Sequence, residues 1–140
     1  MIEERILAAK QYVKTLFADR ADGHDVAHTL RVYSNAMRIA QAEGLCDLEI
    51  VGLSALLHDA DDYKLFQTEN NANARMFLEE IGAPKKQIDQ ICQVINAVSF
   101  SKNRSKQPET LEGKIVQDAD RLDAIGAVGI ARTFSYGGHK

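Results

Sequence analysis

The sequence predicts an all-α protein, a single compact bundle of about six helices. Three observations carry that expectation. Apolar residues recur at three- and four-residue intervals along nearly the whole chain. No convincing run alternates apolar and polar residues as a half-buried strand does. Proline and glycine fall at the joints between periodic stretches, where helices stop and start.

The elements follow in order. Ile2, Ile6, Ala9, Val13 and Leu16 keep helical spacing through a first helix that ends near ADRADG. A second begins around Asp25, sets Val26, Leu30, Tyr33, Met37 and Ala40 on one face, and stops at Gly44. A third takes Asp47 as its N-cap and runs through Leu53, Leu56 and Leu57 to a His-Asp pair. A fourth covers about Glu69 to Ile81 and is closed by Gly82, with Pro84 opening the fifth. The fifth carries Ile88, Ile91, Ile95 and Val98, and FSKNRSKQPET then reads as a polar loop. The sixth starts near Glu109 with Leu111, Ile115, Ala119 and Leu122, and either continues or breaks near Gly126 and Gly129. Gly137-Gly138 reads as the start of a loop, so the 140 residues are expected to be part of a longer protein.

Bulk properties narrow the function. The 140 residues fit one domain, spanning residues 1–140, large enough to bury roughly two thirds of its unfolded surface. Hydrophobic residues at 45% and charged residues at 26% are those of an ordinary globular protein. A net charge of −3 gives no general attraction to nucleic acid or anionic membrane, so a polyanionic substrate must be met by local cations or a metal. Cys46 and Cys92 sit in apolar helical patterns and read as small buried thiols in a reducing compartment. The start, MIEERILAAK, has acids where a signal peptide needs a basic stretch. No apolar run approaches the roughly 18 residues of a membrane span. A cytoplasmic location is expected.

The chemistry concentrates in ALLHDADDYKLF, residues 55–66, where an apolar helix runs into His58-Asp59 and then Asp61 and Asp62. Charges at the end of a core helix are costly to bury unless paired or bound to something. His28, in HDVAHTLRV, and Asp118 or Asp120, in VQDADRLDAIG, are the further candidates for a shared site. Imidazole and carboxylate together, without thiolate, suit one divalent ion such as Zn, Mn, Fe or Ni. Adjacent residues project about 100° apart on a helix, so His58 and Asp59 can share an ion only near a helix end or crossing. Asp118 and Asp120 lie about 200° apart, so only one of them faces the site. Asp120 and Asp123 share a face, whereas Asp118 can pair with Lys114 or Arg121. Each signal is weak alone; a lone histidine is usually a satisfied or surface one. Three separate segments inside otherwise apolar helices make the joint case.

The order His28, His58-Asp59, Asp120 resembles the signature of the HD-domain superfamily of metal-dependent phosphohydrolases. HDVAHTLRVYSNAMRIA, EIVGLSALLHDADDYK, VSFSKN and VQDADRLDAIGAVGIARTFSYGG together resemble one bacterial branch of small stand-alone hydrolases, over nearly the whole chain. The resemblance implies an all-α fold with one divalent ion (Mn, Mg, Fe, Ni or Zn) held by His28, His58, Asp59 and a late aspartate. That aspartate sits in an AD-x-L context elsewhere in the superfamily, which matches Asp120. It also implies further helices after the Gly-Gly pair. Asp62, four residues after His58, matches the acid that handles the attacking water in relatives that hydrolyse nucleotide pyrophosphates.

On this reading a small phosphorylated molecule, a nucleotide, is cleaved by water that the ion activates, a triphosphate giving the monophosphate and pyrophosphate. Arg31, three residues after His28 on the same face, either meets phosphate or pairs with a neighbouring carboxylate. Lys64 follows the acidic cluster, and Lys102 and Arg104 either close over a polyphosphate or solubilise a loop. His24, with Asp25, is expected at the helix start or behind His28. Tyr63, Phe66, Phe100 and Tyr136 are stacking partners for a base or, more often, core. Alternatives are a phosphodiesterase or nucleoside monophosphatase on the same metal, a non-catalytic nucleotide-binding regulatory domain, or an interaction-only bundle. No membrane or extended nucleic-acid partner is expected, and the oligomeric state is open.

Overall fold

The computed structural model describes the backbone of residues 2–18, 26–61, 68–103 and 108–138, with side chains there except at 2, 99–103 and 126–138. Among the described residues there are six α-helices and no strand. They are α1 (Ile2–Leu16), α2 (Val26–Glu43), α3 (Leu48–Leu57), α4 (Ala72–Glu80), α5 (Lys85–Asn103) and α6 (Leu111–Gly138). No helix among those residues is long and apolar enough to cross a membrane.

Helix α3 is the axle. Its sequence LEIVGLSALL is apolar nearly all round, and every residue from Glu49 to Leu57 is buried, not merely the Leu53, Leu56 and Leu57 face. It packs against α1, α2, α5 and α6. Asp47 caps it as expected, accepting from the backbone N–H of Glu49 at 3.0 Å and Ile50 at 3.2 Å. Gly52 lies under close neighbours. A Cβ there would meet Ile6 Cδ1 of α1 at 2.7 Å and Tyr33 Cε1 of α2 at 3.3 Å. The one buried acid of the helix, Glu49, accepts from Arg5 of α1 at 2.9 Å and from the Gln87 amide of α5.

The structure departs from the expected elements in five places. The buried face of α2 is centred on Thr29, Val32, Ala36 and Ala40, with Val26, Leu30, Tyr33 and Met37 half-buried beside it. Helix α4 starts at Ala72 rather than Glu69, because Asn70 and Asn71 take left-handed φ values of 55° and 58°. Helix α5 extends to Asn103, through the FSKN that reads as loop, since neither glycine nor proline interrupts it. Helix α6 starts from Thr110, whose Oγ1 accepts from Gly113 N at 3.0 Å. It takes the continuous course past Gly126 and Gly129, and departs from expectation in running on through Gly137 to Gly138, which read as the start of a loop. Each helical glycine costs about 1 kcal/mol, which weakens a helix without ending it. Finally, α6 buries Ile115, Val116 and Ala119 but leaves Leu111 and Leu122 exposed, the latter at 49%. Cys92 is buried as expected, whereas Cys46 is only half-buried in the turn between α2 and α3; both are free thiols.

Candidate metal centre

Three helices bring the polar residues together. His28 lies in the first turn of α2, and Asp120 in the third turn of α6. His58 is the C-cap of α3, with φ −63° and ψ −25°. The chain leaves the helix there, and both His58 and Asp59 are buried. Asp59 Oδ2 stands 3.3 Å from His58 Nε2 and 3.8 Å from His28 Nε2. Asp120 Oδ1 stands 3.3 Å from His28 Nε2 and 3.6 Å from His58 Nε2. One ligand atom each from His28, His58 and Asp120 lies within 4.8 Å of the other two. The imidazole rings meet edge to face with centroids 5.5 Å apart.

Electrostatics make this a hollow for positive charge. Hydrogen bonding to Asp120, assisted by Asp123, raises the His28 imidazole to about 9 against the opposing effect of burial. Burial alone would lower His58, but Asp59, Asp120 and the Ala55 carbonyl outweigh it and leave the imidazole raised. His58 Nε2 is the informative atom. It is buried and makes no hydrogen bond among the described residues. An unsatisfied buried polar nitrogen costs about 1–3 kcal/mol. A metal ion is the ordinary occupant of such a position among imidazoles and carboxylates. Ligands about 2.0–2.2 Å from one ion lie roughly 3–4.4 Å apart, and the four nitrogen–oxygen separations above fall in that range. The residues therefore fit a divalent cation.

Behind these atoms each imidazole is held by its other nitrogen. His58 Nδ1 donates to the carbonyl of Ala55 at 2.6 Å, within its own helix. His28 Nδ1 donates to Asp123 Oδ2 at 2.7 Å. Arg31 grips that same carboxylate, Nε to Oδ1 at 2.6 Å and a terminal nitrogen to Oδ2 at 3.3 Å. The Arg31 guanidinium, with His28, holds the Asp123 carboxyl below its ordinary range. Asp123 is the residue that sequence reasoning missed in this role; its one signal was a position three residues after Asp120 on the same face. Asp118 is exposed and outside the cluster.

Asp61 turns away from the imidazoles. It accepts from Thr68 Oγ1 at 2.6 Å, Asn73 N at 2.8 Å and Ala74 N at 3.0 Å, so it caps α4 in place of Asn71. Asn73 Nδ2 adds a bond to the Ala60 carbonyl at 2.8 Å, tying the turn after His58 to α4. An open polar cleft of about 360 Å³ lies beside this cap, lined by Asp61, Thr68, Asn70, Asn71, Arg75 and Asn96. Asp62, Lys64, His24, Asp25, Tyr63, Phe66 and Arg104 lie outside the described residues, as do the side chains of Phe100, Lys102 and Tyr136.

Comparison with known proteins identifies the family and the fold. The family model for the HD domain matches residues 25–125. The uncharacterized protein YpgQ of Bacillus subtilis is 41% identical over 135 residues, covering 94% of this chain and 65% of that one. This chain thus spans just under two thirds of that relative. The crystal structure of an HD-superfamily hydrolase from Bacillus thuringiensis superposes with a TM-score of 0.75 at 35% identity, covering 99% of this chain and 68% of that one. The crystal structure of Bacillus subtilis YpgQ in complex with ADP gives a TM-score of 0.73 at 35% identity, covering 99% of this chain and 69% of that one.

Proposed function

This chain belongs to the HD domain family, and from that membership and the centre's geometry we propose that it is a metal-dependent phosphohydrolase acting on a nucleotide. The observation that carries the proposal is the buried Nε2 of His58, which makes no hydrogen bond among the described residues. It faces Asp59 and Asp120 at 3.3 and 3.6 Å. His28, His58, Asp59 and Asp120 are the residues proposed to hold one divalent ion, of which Mn is the first to test.

Such an ion supplies Lewis acidity at a phosphoryl oxygen and water acidified towards neutral pH. The chain's own residues do the rest. Ala55 and Asp123 hold the protons on the two Nδ1 atoms, so that with an ion bound each imidazole would present a bare Nε2 to it. Asp62 is proposed to take the proton of the attacking water, which suits a carboxylate already ionised at pH 7. Arg31, whose side chain is 56% exposed, and Lys64 are proposed to counter phosphate charge.

A nucleotide is favoured because a YpgQ structure of the same fold holds ADP. The specific reaction proposed is cleavage of a nucleoside triphosphate to the monophosphate and pyrophosphate. Free thiols at Cys46 and Cys92 are consistent with the cytoplasmic setting proposed for it. The test is a panel of nucleoside tri-, di- and monophosphates and cyclic nucleotides with added manganese and analysis of products. Pyrophosphate release is expected. Phosphate released from monophosphates alone would make it a monophosphatase, and opening of a cyclic diester a phosphodiesterase. Tight nucleotide binding with no turnover of any member would sink the enzymatic reading and leave a regulatory domain.

A further inference from the structure

We infer that Asp123 is a positioning residue for His28, and that Arg31 acts on the metal centre through Asp123. This rests on the metal reading of the site. The geometry is a four-cornered lock between two helices. On α2, His28 and Arg31 are three residues apart; on α6, Asp120 and Asp123 are three residues apart. Residues at that spacing share a helix face. The corners meet in register. Asp120 Oδ1 stands 3.3 Å from His28 Nε2, Asp123 Oδ2 2.7 Å from His28 Nδ1, and Asp123 Oδ1 2.6 Å from Arg31 Nε.

Each contact has a consequence. An imidazole that offers Nε2 to a cation must carry its proton on Nδ1, and a carboxylate acceptor at Nδ1 enforces that tautomer. A carboxylate that is free to rotate enforces it poorly. The Arg31 fork engages both oxygens of Asp123, fixing the plane of the carboxyl group and therefore the ring plane of His28. The Asp123 side chain is only 10% exposed, so water does not replace it easily. His58 needs no such support, because Ala55 of its own helix does the same work.

A purely structural role, a strut clamping α2 to α6, makes a different prediction. It would lower stability and leave metal affinity in the folded protein alone. The experiment is calorimetric titration of metal-free protein with cobalt(II), with absorption spectra at saturation and thermal unfolding of each metal-free variant. The variants are Asp123→Ala, Asp123→Asn, Arg31→Ala and the double substitution Arg31→Ala/Asp123→Ala. Loss of such an outer partner typically weakens metal binding about 10–100-fold, which is expected for both Asp123 variants. In Asp123→Asn the amide can also present an N–H to Nδ1 and stabilise the wrong tautomer. Its cobalt spectrum is therefore expected to differ from wild type even when saturated. Arg31→Ala is expected to weaken cobalt binding by roughly 3–10-fold, and by nothing further once Asp123 is gone.

Wild-type protein that takes up no cobalt would overturn the metal reading itself. Cobalt bound equally by wild type and both Asp123 variants would overturn only the role of Asp123. Equal losses from Arg31→Ala with and without Asp123 would overturn the route through that carboxylate. Should Asp123→Ala not fold, Asp123→Asn carries the test, since it preserves the shape and one acceptor.

Discussion

The two imidazoles of the centre are held in opposite ways. His58 is fixed locally: it ends α3, is 1% exposed at its side chain, and donates to a carbonyl three residues earlier. His28 is fixed at a distance: it is 26% exposed at its side chain and leans on a carboxylate 95 residues later in the chain. The difference teaches where such a site is robust. A ligand oriented by its own helix survives as long as that helix does. One oriented from another helix depends on the packing of α2 against α6, and on every charge that holds the second helix in register.

The largest expected effect is on the locally fixed side. His58→Ala removes a nitrogen that nothing else replaces. Metal content by elemental analysis is expected to fall to background, a loss exceeding the 10–100-fold typical of outer partners. Asp120→Asn is expected to follow it and Asp118→Asn to match wild type, because Asp118 is exposed and outside the cluster. Metal retained fully by His58→Ala would show that the centre lies elsewhere, and the comparison between the imidazoles would lose its meaning.

A smaller effect separates the two by pH. The folded protein holds the His28 imidazole up at about 9, against about 6.5 for an unfolded chain. A raised pKa stabilises the fold fully below the unfolded value, and the gain is lost as pH rises through the folded value. Metal-free wild type should therefore lose stability relative to His28→Ala between pH 6.5 and pH 9, by at most about 3 kcal/mol. Denaturant melts across that window measure it. Metal runs the other way: binding must release those protons, so affinity is expected to climb with pH over the same interval. A gap between the two proteins that widens with pH would mean that His28 is not held by carboxylates at all.

The same local-versus-distant contrast explains what the sequence made legible. Helix α3 announces itself through Asp47, an apolar run and the abrupt polar end at His58, all within a dozen residues. The convergence of His28, His58 and Asp120 was legible as three polar intrusions into apolar helices, joined by a family pattern. The Asp123–Arg31 lock was not, because pairing across α2 and α6 depends on helix rotation, and the periodicity placed the buried face of α2 one residue away from where it lies. On α6 the periodic face buries Ile115 and Ala119 as expected, yet Leu122 of that face is 49% exposed. Asp61 illustrates another limit. Nothing local distinguishes an acid that faces a cation from one that caps the next helix, and the left-handed turn at Asn70 and Asn71 decides it. Periodicity gives a helix its partners' side, not the angle at which they meet.

The smallest effect sharpens the comparison by probing α3 at its far end. Asp47 caps that helix with two backbone hydrogen bonds, at the end of α3 opposite His58. Asp47→Ala should cost about 1 kcal/mol, roughly 3 °C in melting temperature for a domain of this size. If local fixation of His58 means what the Ala55 hydrogen bond suggests, cobalt affinity should not change, because the last turn of α3 is held by burial on all sides and not by its first turn. A tenfold loss of affinity in Asp47→Ala would show that strain at one end of α3 reaches the other. His58 would then be no more locally determined than His28, and α3 would act as a lever on the centre rather than a fixed post.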